Sequence, residues 1–276
     1  MDDSTDRRKL FADAARAERP DLALLCLLVG AEADAEFSDD DLDAAQIELD
    51  RLAGLLPFAP GDRAAWAGAA AELLGGAEGF HGTPADYRRL DSSLLHQVLR
   101  RRRGLPILLS VVWIEVARRA GAPVYGVALP GHFVVGCGDP AGRHVLVDPF
   151  HGGRPLTEEE AAVLVAGTTG APLSPALLAP ADPLEIVLRV LNNIRAWAAA
   201  RPERTDVQLW AVELSLLLPS HPAKLRYERA QLLVQRGDFR GGAAELEEYA
   251  TVIAAMEPSS AETVRREARA ARALLN

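Results

Sequence analysis

The chain has 276 residues, 49% of them hydrophobic, and a formal net charge of -9, which suits one large domain or two to three small ones around a substantial core. A field of that sign repels phosphate, so the composition argues against a nucleic-acid or anionic-membrane binder. No run of about 18 apolar residues occurs, and the opening MDDSTDRRKL is acidic and polar where a signal peptide is basic and then apolar; a cytoplasmic protein with no membrane segment is expected.

From Leu10 to about Ala77, apolar residues recur at helical spacing in DLALLCLLVGAEAD and DDDLDAAQIELDRLAGLL. Both stretches begin with aspartate, which suits the positive pole of a helix N-terminus. A helical N-terminal domain over 1–80 is predicted, ending where GGAEGFHGTPADYRRLDSS breaks the periodicity. Two helices follow, SSLLHQVLRRR and PILLSVVWIEVARRA, and then three short strands, VYGVALP, HFVVGC and RHVLVDPF. Helices followed by an antiparallel meander predict an α+β core over 81–180 rather than a parallel-sheet enzyme. From about Pro183 the pattern is helical again, giving a C-terminal helical domain over 181–276. There RYERAQLLVQRGDFRGGAAELEEYATVIAAMEPSS has the look of a tetratricopeptide repeat, with Gly237-Asp238-Phe239 at the inter-helix turn, small Gly242 after it and Pro258 at the close.

The segment PGHFVVGCGDPAGRHVLVDPF holds the candidate chemistry. A turn at GDPAG, residues 138–142, sets Cys137 opposite Arg143 and His132 opposite Asp148. Opposed residues share a face with Cβ atoms about 4.5 to 5.5 Å apart, so an imidazole and a carboxylate are expected to meet. Such a carboxylate fixes the imidazole tautomer and raises its basicity. Catalysis also needs a third group; without one the pair is a satisfied hydrogen bond at a sheet edge. Cys137 fails as that group on parity, because it lies five residues from His132 on one strand and points to the other face. Cys26 and Cys137 have no CxxC spacing, and both are expected to be buried free thiols.

In RGLPILLSVVWIEVARRAGAPV, Gly104 ends one helix, Pro106 takes the first position of the next and Gly121 closes it. From Asp91 to Phe150 the combination of GLP, GHF and DPF resembles the transglutaminase-like superfamily, and within it the SirB1 branch. Members of that branch similarly place a helical segment before the core and a tetratricopeptide-like tail after it. The resemblance implies a papain-like Cys-His-Asp triad, with the cysteine opening a buried helix and the other two on neighbouring strands. His132 and Asp148 match two of its members, and the nucleophile slot falls on Pro106. Proline supplies neither a dipole-stabilised thiolate nor a backbone N–H for an oxyanion. Ser110, one helical turn on, is a weak candidate for a relocated nucleophile; the plain alternative is a serine bonded to the preceding turn's carbonyl.

Arg100 to Arg103 end a helix, where cations offset its negative pole, which disfavours a nucleic-acid reading. His144 and His151 flank the hairpin without HxH or HExxH spacing, and no glycine-rich phosphate loop is present, so no metal and no cofactor is expected. His96 reads as a packing or capping residue. The expected function is that of a non-catalytic transglutaminase-like protein, a cytoplasmic protein-interaction or regulatory factor with a protein partner. The runner-up is an acyl-transfer enzyme, hydrolase or transferase, with His132 as general base oriented by Asp148 and acting on water, a substrate group or Ser110.

Overall fold

In the computed structural model, which describes residues 3–58 and 62–275, the chain divides into two compact units, Met1–Val190 and Leu191–Asn276. The first opens with helices α1 (Asp3–Ala15), α2 (Leu22–Ala33), α3 (Asp39–Leu55) and α4 (Arg63–Ala70). The aspartates cap as expected: Asp21 accepts the Leu24 N–H at 2.9 Å, and Ser38 with Asp41 forms a reciprocal capping box. Helix α2 is apolar on nearly every side and correspondingly buried. Helix α4 runs on into a π-helical stretch, Ala71–Ala77.

Helices α5 (Leu95–Arg101) and α6 (Pro106–Arg119) follow. Pro106 sits at the first position of α6, where its missing N–H forfeits no intrahelical bond. Every residue from Pro106 to Ala117 is buried, which makes α6 the central element of this unit. Four strands then form an antiparallel meander, β1 (Val124–Val127), β2 (Val134–Gly138), β3 (His144–Asp148) and β4 (Arg154–Leu156). The fourth strand and helix α7 (Glu158–Thr169) add to the predicted elements. Val127, Val134, Leu146 and Leu156 of the sheet pack with Ala161 and Val165 of α7; burying each such valine or leucine contributes about 1.5–3 kcal/mol.

The β2–β3 hairpin departs from the expected pairing by two residues, with Cys137 facing Val145 and Gly138 facing His144. Gly138, at φ 115°, stays within the strand. The turn is closed instead by Gly142 N–H to the Asp139 carbonyl at 3.1 Å and Asp139 N–H to the Arg143 carbonyl at 3.2 Å. Because side chains alternate with period two, a two-residue shift leaves every side chain on its expected face.

The glycine-rich stretch near residue 80, read from sequence as a domain boundary, is pinned inside the first unit. Phe80 is buried, His81 N–H donates to the Arg102 carbonyl at 3.1 Å, and Gly82 N–H donates to the Phe150 carbonyl at 2.9 Å. Residues on both sides of it therefore belong to one compact unit.

The division between units falls within α8 (Pro183–Ala199), after which come α9 (Thr205–Leu217), α10 (Lys224–Gln235), α11 (Phe239–Ile253) and α12 (Pro258–Ala273). Gly237 adopts φ 90° at the α10–α11 turn, and Asp238 caps α11 by accepting the Gly241 N–H at 2.8 Å. Gly242 lets the two helices close: a Cβ there would lie 2.5 Å from Val234 Cγ2. Pro258 opens α12 rather than ending the repeat. The chain is thus α+β, mostly helical, with one small antiparallel sheet and tetratricopeptide-like C-terminal helices.

Candidate functional site

Asp148, at the end of β3 and 2% exposed, is the hub of the site. Its Oδ1 accepts the Phe150 N–H at 3.0 Å. Its Oδ2 is contacted by His132 Nε2 at 2.9 Å and by His151 Nδ1 at 2.7 Å. The chain turns sharply after Asp148 through a 3-10 turn, Pro149–His151, and Gly153 N–H returns to the Asp148 carbonyl at 2.8 Å. Gly152, at φ 70°, makes that reversal possible. His151 is thereby folded back over the carboxylate it follows by three residues.

His132 reaches the same oxygen from a different element. Pairing of β2 with β3 stops at Val135 and Val147, so His132 precedes the strand and hangs from the turn at Pro130 and Gly131, the latter at φ 75°. The His132–Asp148 contact expected from sequence is made, but from a loop rather than between directly opposed strand residues. Arg189 of α8 holds that loop, donating to the carbonyls of Leu129 at 2.6 Å and His132 at 2.8 Å. Nothing in the sequence links Arg189 to the site, since it lies 57 residues from His132.

Burial alone would raise the Asp148 carboxyl, but the hydrogen bonds and charges of His132 and then His151 outweigh it and hold the group below its usual range. Donation to Asp148 through Nε2 leaves Nδ1 as the basic nitrogen of His132.

A cavity of about 500 Å³ opens onto this cluster, walled by Tyr87, Phe150, Leu156, Val163 and Leu164, with Arg154, Glu159 and Glu160 among its lining. That size and apolar character suit a small molecule or a partner's side chain. Val163 and Leu164 come from α7, whose first turn is fixed by the Thr157–Glu160 capping box.

The other candidates lie apart from the cavity. Pro106 is buried at the head of α6. Ser110 is buried too, and its hydroxyl donates across to the Phe133 carbonyl at 3.4 Å rather than to the preceding turn of its own helix. Cys26 and Cys137 are buried free thiols; burial pushes both up, Cys137 to about 11. His144 pairs with Gly138 and lies against the Tyr125 ring, outside the cluster. His96 packs against Phe37 at a ring separation of 4.6 Å. In the arginine run, Arg101 lies 3.7 Å from Asp86 and from Asp91, Arg102 bridges Glu48 and Glu78, and Arg103 reaches Asp86 at 3.5 Å. Among the described residues, no helix is long and apolar enough to cross a membrane.

The family model described as Transglutaminase-like superfamily matches residues 39–192, and that of the tetratricopeptide repeat matches 194–276. A UPF0162 protein of Xylella fastidiosa is 38% identical over 177 residues, the match spanning 62% of this chain and 62% of that one. A UPF0162 protein of Pseudomonas aeruginosa is 33% identical over 202 residues, 72% of each chain. The F-box only protein 21 of Mus musculus is 28% identical over 154 residues, 53% of this chain and 24% of the mouse protein. The core around His132 and Asp148, the tetratricopeptide-like helices that follow it in the chain and these matches make one assignment: the chain belongs to the transglutaminase-like superfamily, in the SirB1-like branch of the UPF0162 proteins.

Proposed function

We propose that this transglutaminase-like core has lost thiol acyl transfer and works by binding, as a cytoplasmic protein-interaction or regulatory factor. The His132–Asp148 pair then serves as a polar contact for what enters the cavity. The head of α6 carries this reading: Pro106 occupies the first helical position, where the family resemblance sets a cysteine. Its ring has no sulfur to attack with and no N–H to offer an oxyanion. Both cysteines of the chain are buried elsewhere, with thiols held protonated by desolvation. The C-terminal helical hairpins support a protein partner, since stacked helix pairs of this kind commonly present a concave surface to peptides. The net charge of -9 disfavours nucleic acid as that partner.

The cavity favours a second reading, hydrolysis without a thiol. His132, oriented by Asp148, would accept a proton from water at Nδ1 as the water oxygen attacks an acyl carbon, and return it to the leaving group.

The test recovers the full chain from its native host as wild type and as His132→Ala, identifies retained proteins by mass spectrometry, and assays both forms for ester and amide hydrolysis with and without iodoacetamide. Binding in the absence of turnover is expected. Turnover that His132→Ala abolishes and iodoacetamide leaves untouched favours the hydrolase. Iodoacetamide-sensitive turnover overturns the loss of thiol chemistry.

A further inference from the structure

We propose that His132 Nε2, Asp148 Oδ2 and His151 Nδ1 form a site for one divalent transition-metal ion of the zinc class, its open coordination position facing the cavity. The sequence spacing holds no metal motif; the fold creates the cluster by bringing a loop histidine onto an Asp-x-x-His turn. One ligand atom from each of the three residues lies within 4.8 Å of the others. A tetrahedral ion with bonds of about 2.0–2.1 Å to nitrogen sets its ligand atoms about 3.3 Å apart. To admit an ion the contacts of 2.9 Å and 2.7 Å to Oδ2 open, while the third separation, between the two imidazole nitrogens, lies within 4.8 Å and settles toward the same spacing.

Three further features fit a metal better than a plain hydrogen-bonded triad. The Asp148 carboxylate is fixed in orientation, because Oδ1 is tied to the Phe150 N–H and only Oδ2 is presented, which is how an outer contact aims a ligand. The carboxylate is buried, and among the described residues its side-chain hydrogen bonds are to two imidazoles, the Arg154 guanidinium on the neighbouring strand being bonded to Glu160 instead. Buried anions are stabilised by a paired charge or a metal. All three residues line a cavity of about 500 Å³, which leaves room for water or a ligand oxygen at the remaining position. Three protein ligands plus an open position is the arrangement of catalytic rather than structural zinc sites. Two imidazoles with one carboxylate favour zinc, cobalt, nickel or ferrous iron over magnesium or calcium.

The site is compatible with the binding reading and is an alternative state to the general-base form of His132, because Nε2 cannot both donate to Asp148 and coordinate an ion; its test needs no activity. Untagged full-length protein, stripped with chelator, is titrated with Co2+ by visible absorption and with Zn2+ by calorimetry. Wild type is expected to take up one equivalent with micromolar or tighter affinity and to develop ligand-field bands of a nitrogen and oxygen site. Loss of a ligand in His151→Ala is expected to weaken binding by more than the roughly 10–100-fold that loss of an outer contact costs, while His144→Ala binds like wild type. His151 has 58% of its side chain exposed, so its variant keeps the fold, which circular dichroism checks. Absence of uptake by wild type, or equal affinity in wild type and His151→Ala, overturns the proposal.

Discussion

At the end of α5 the arginine run turns back onto the chain's own acids. Arg102 adopts the left-handed conformation at φ 57°, which a non-glycine residue holds only when its surroundings compensate. Its guanidinium donates to the Leu99 carbonyl at 2.7 Å, bridges Glu48 at 2.5 Å and Glu78 at 3.1 Å, and covers the Phe80 ring at 4.5 Å. Glu48 lies between Arg51 and Arg102, and hydrogen bonds from Arg51 and then Arg102 outweigh partial burial and pull its carboxyl down to about 2. A carboxylate depressed on folding adds stability that is present above its unfolded value and lost as pH falls through its folded value. The urea-unfolding gap between wild type and Glu48→Gln is therefore expected to be full at neutral pH and to close from about 4.5 toward about 2. A gap that does not change with pH would contradict the assignment. At the same scale, His132 and Asp148 were legible as neighbours because the hairpin brings both ends of its two strands together, although the contact is made from the loop before β2 and not by the strand pairing that the sequence suggested. His151 and Arg189 were not legible, because a 3-10 reversal and a contact 57 residues distant leave no periodic signal.

Among the elements, the turn that carries His151 is seated against the π-helical stretch that follows α4. A Cβ on Gly75 would stand 2.0 Å from the Gly152 carbonyl oxygen, whereas one on Gly76 would find its nearest neighbour at 3.8 Å. Backbone cannot yield as a flexible side chain does, so Gly75→Ala must displace the Pro149–His151 turn. Overpacking of this kind costs about 1–3 kcal/mol, and Gly76→Ala, free of the clash, is expected to be neutral or to gain about 0.5–1 kcal/mol from reduced unfolded-state entropy. Denaturant midpoints of the two variants check this, and equal midpoints would show that the contact does not constrain the turn. Elements with strong periodicity or caps, such as α3 and α6, were readable in advance. Strand β4 spans only Arg154–Leu156, too short to alternate visibly, and it exists because Leu146 and Val147 offer it a pairing edge.

Over the whole molecule, composition and repeat pattern identified the helical C-terminal unit, but the break near residue 80 suggested a division that packing does not make. Glycine and proline there mark a buried crossing, with backbone bonds to Arg102 and Phe150; local flexibility and tertiary anchoring look alike in sequence. The molecule buries both of its thiols and opens α6 on a proline, so the proposed loss of thiol chemistry draws on the entire chain rather than on one slot. Native thiol labelling tests it most directly: pure wild type is treated with iodoacetamide in buffer and in denaturant, and adducts on Cys26 and Cys137 are read by mass spectrometry. With side chains 1% and 2% exposed respectively, neither cysteine is expected to label until the protein unfolds. Rapid stoichiometric labelling of either one in the folded protein, accompanied by loss of amidase turnover, would contradict a core that binds without a thiol nucleophile.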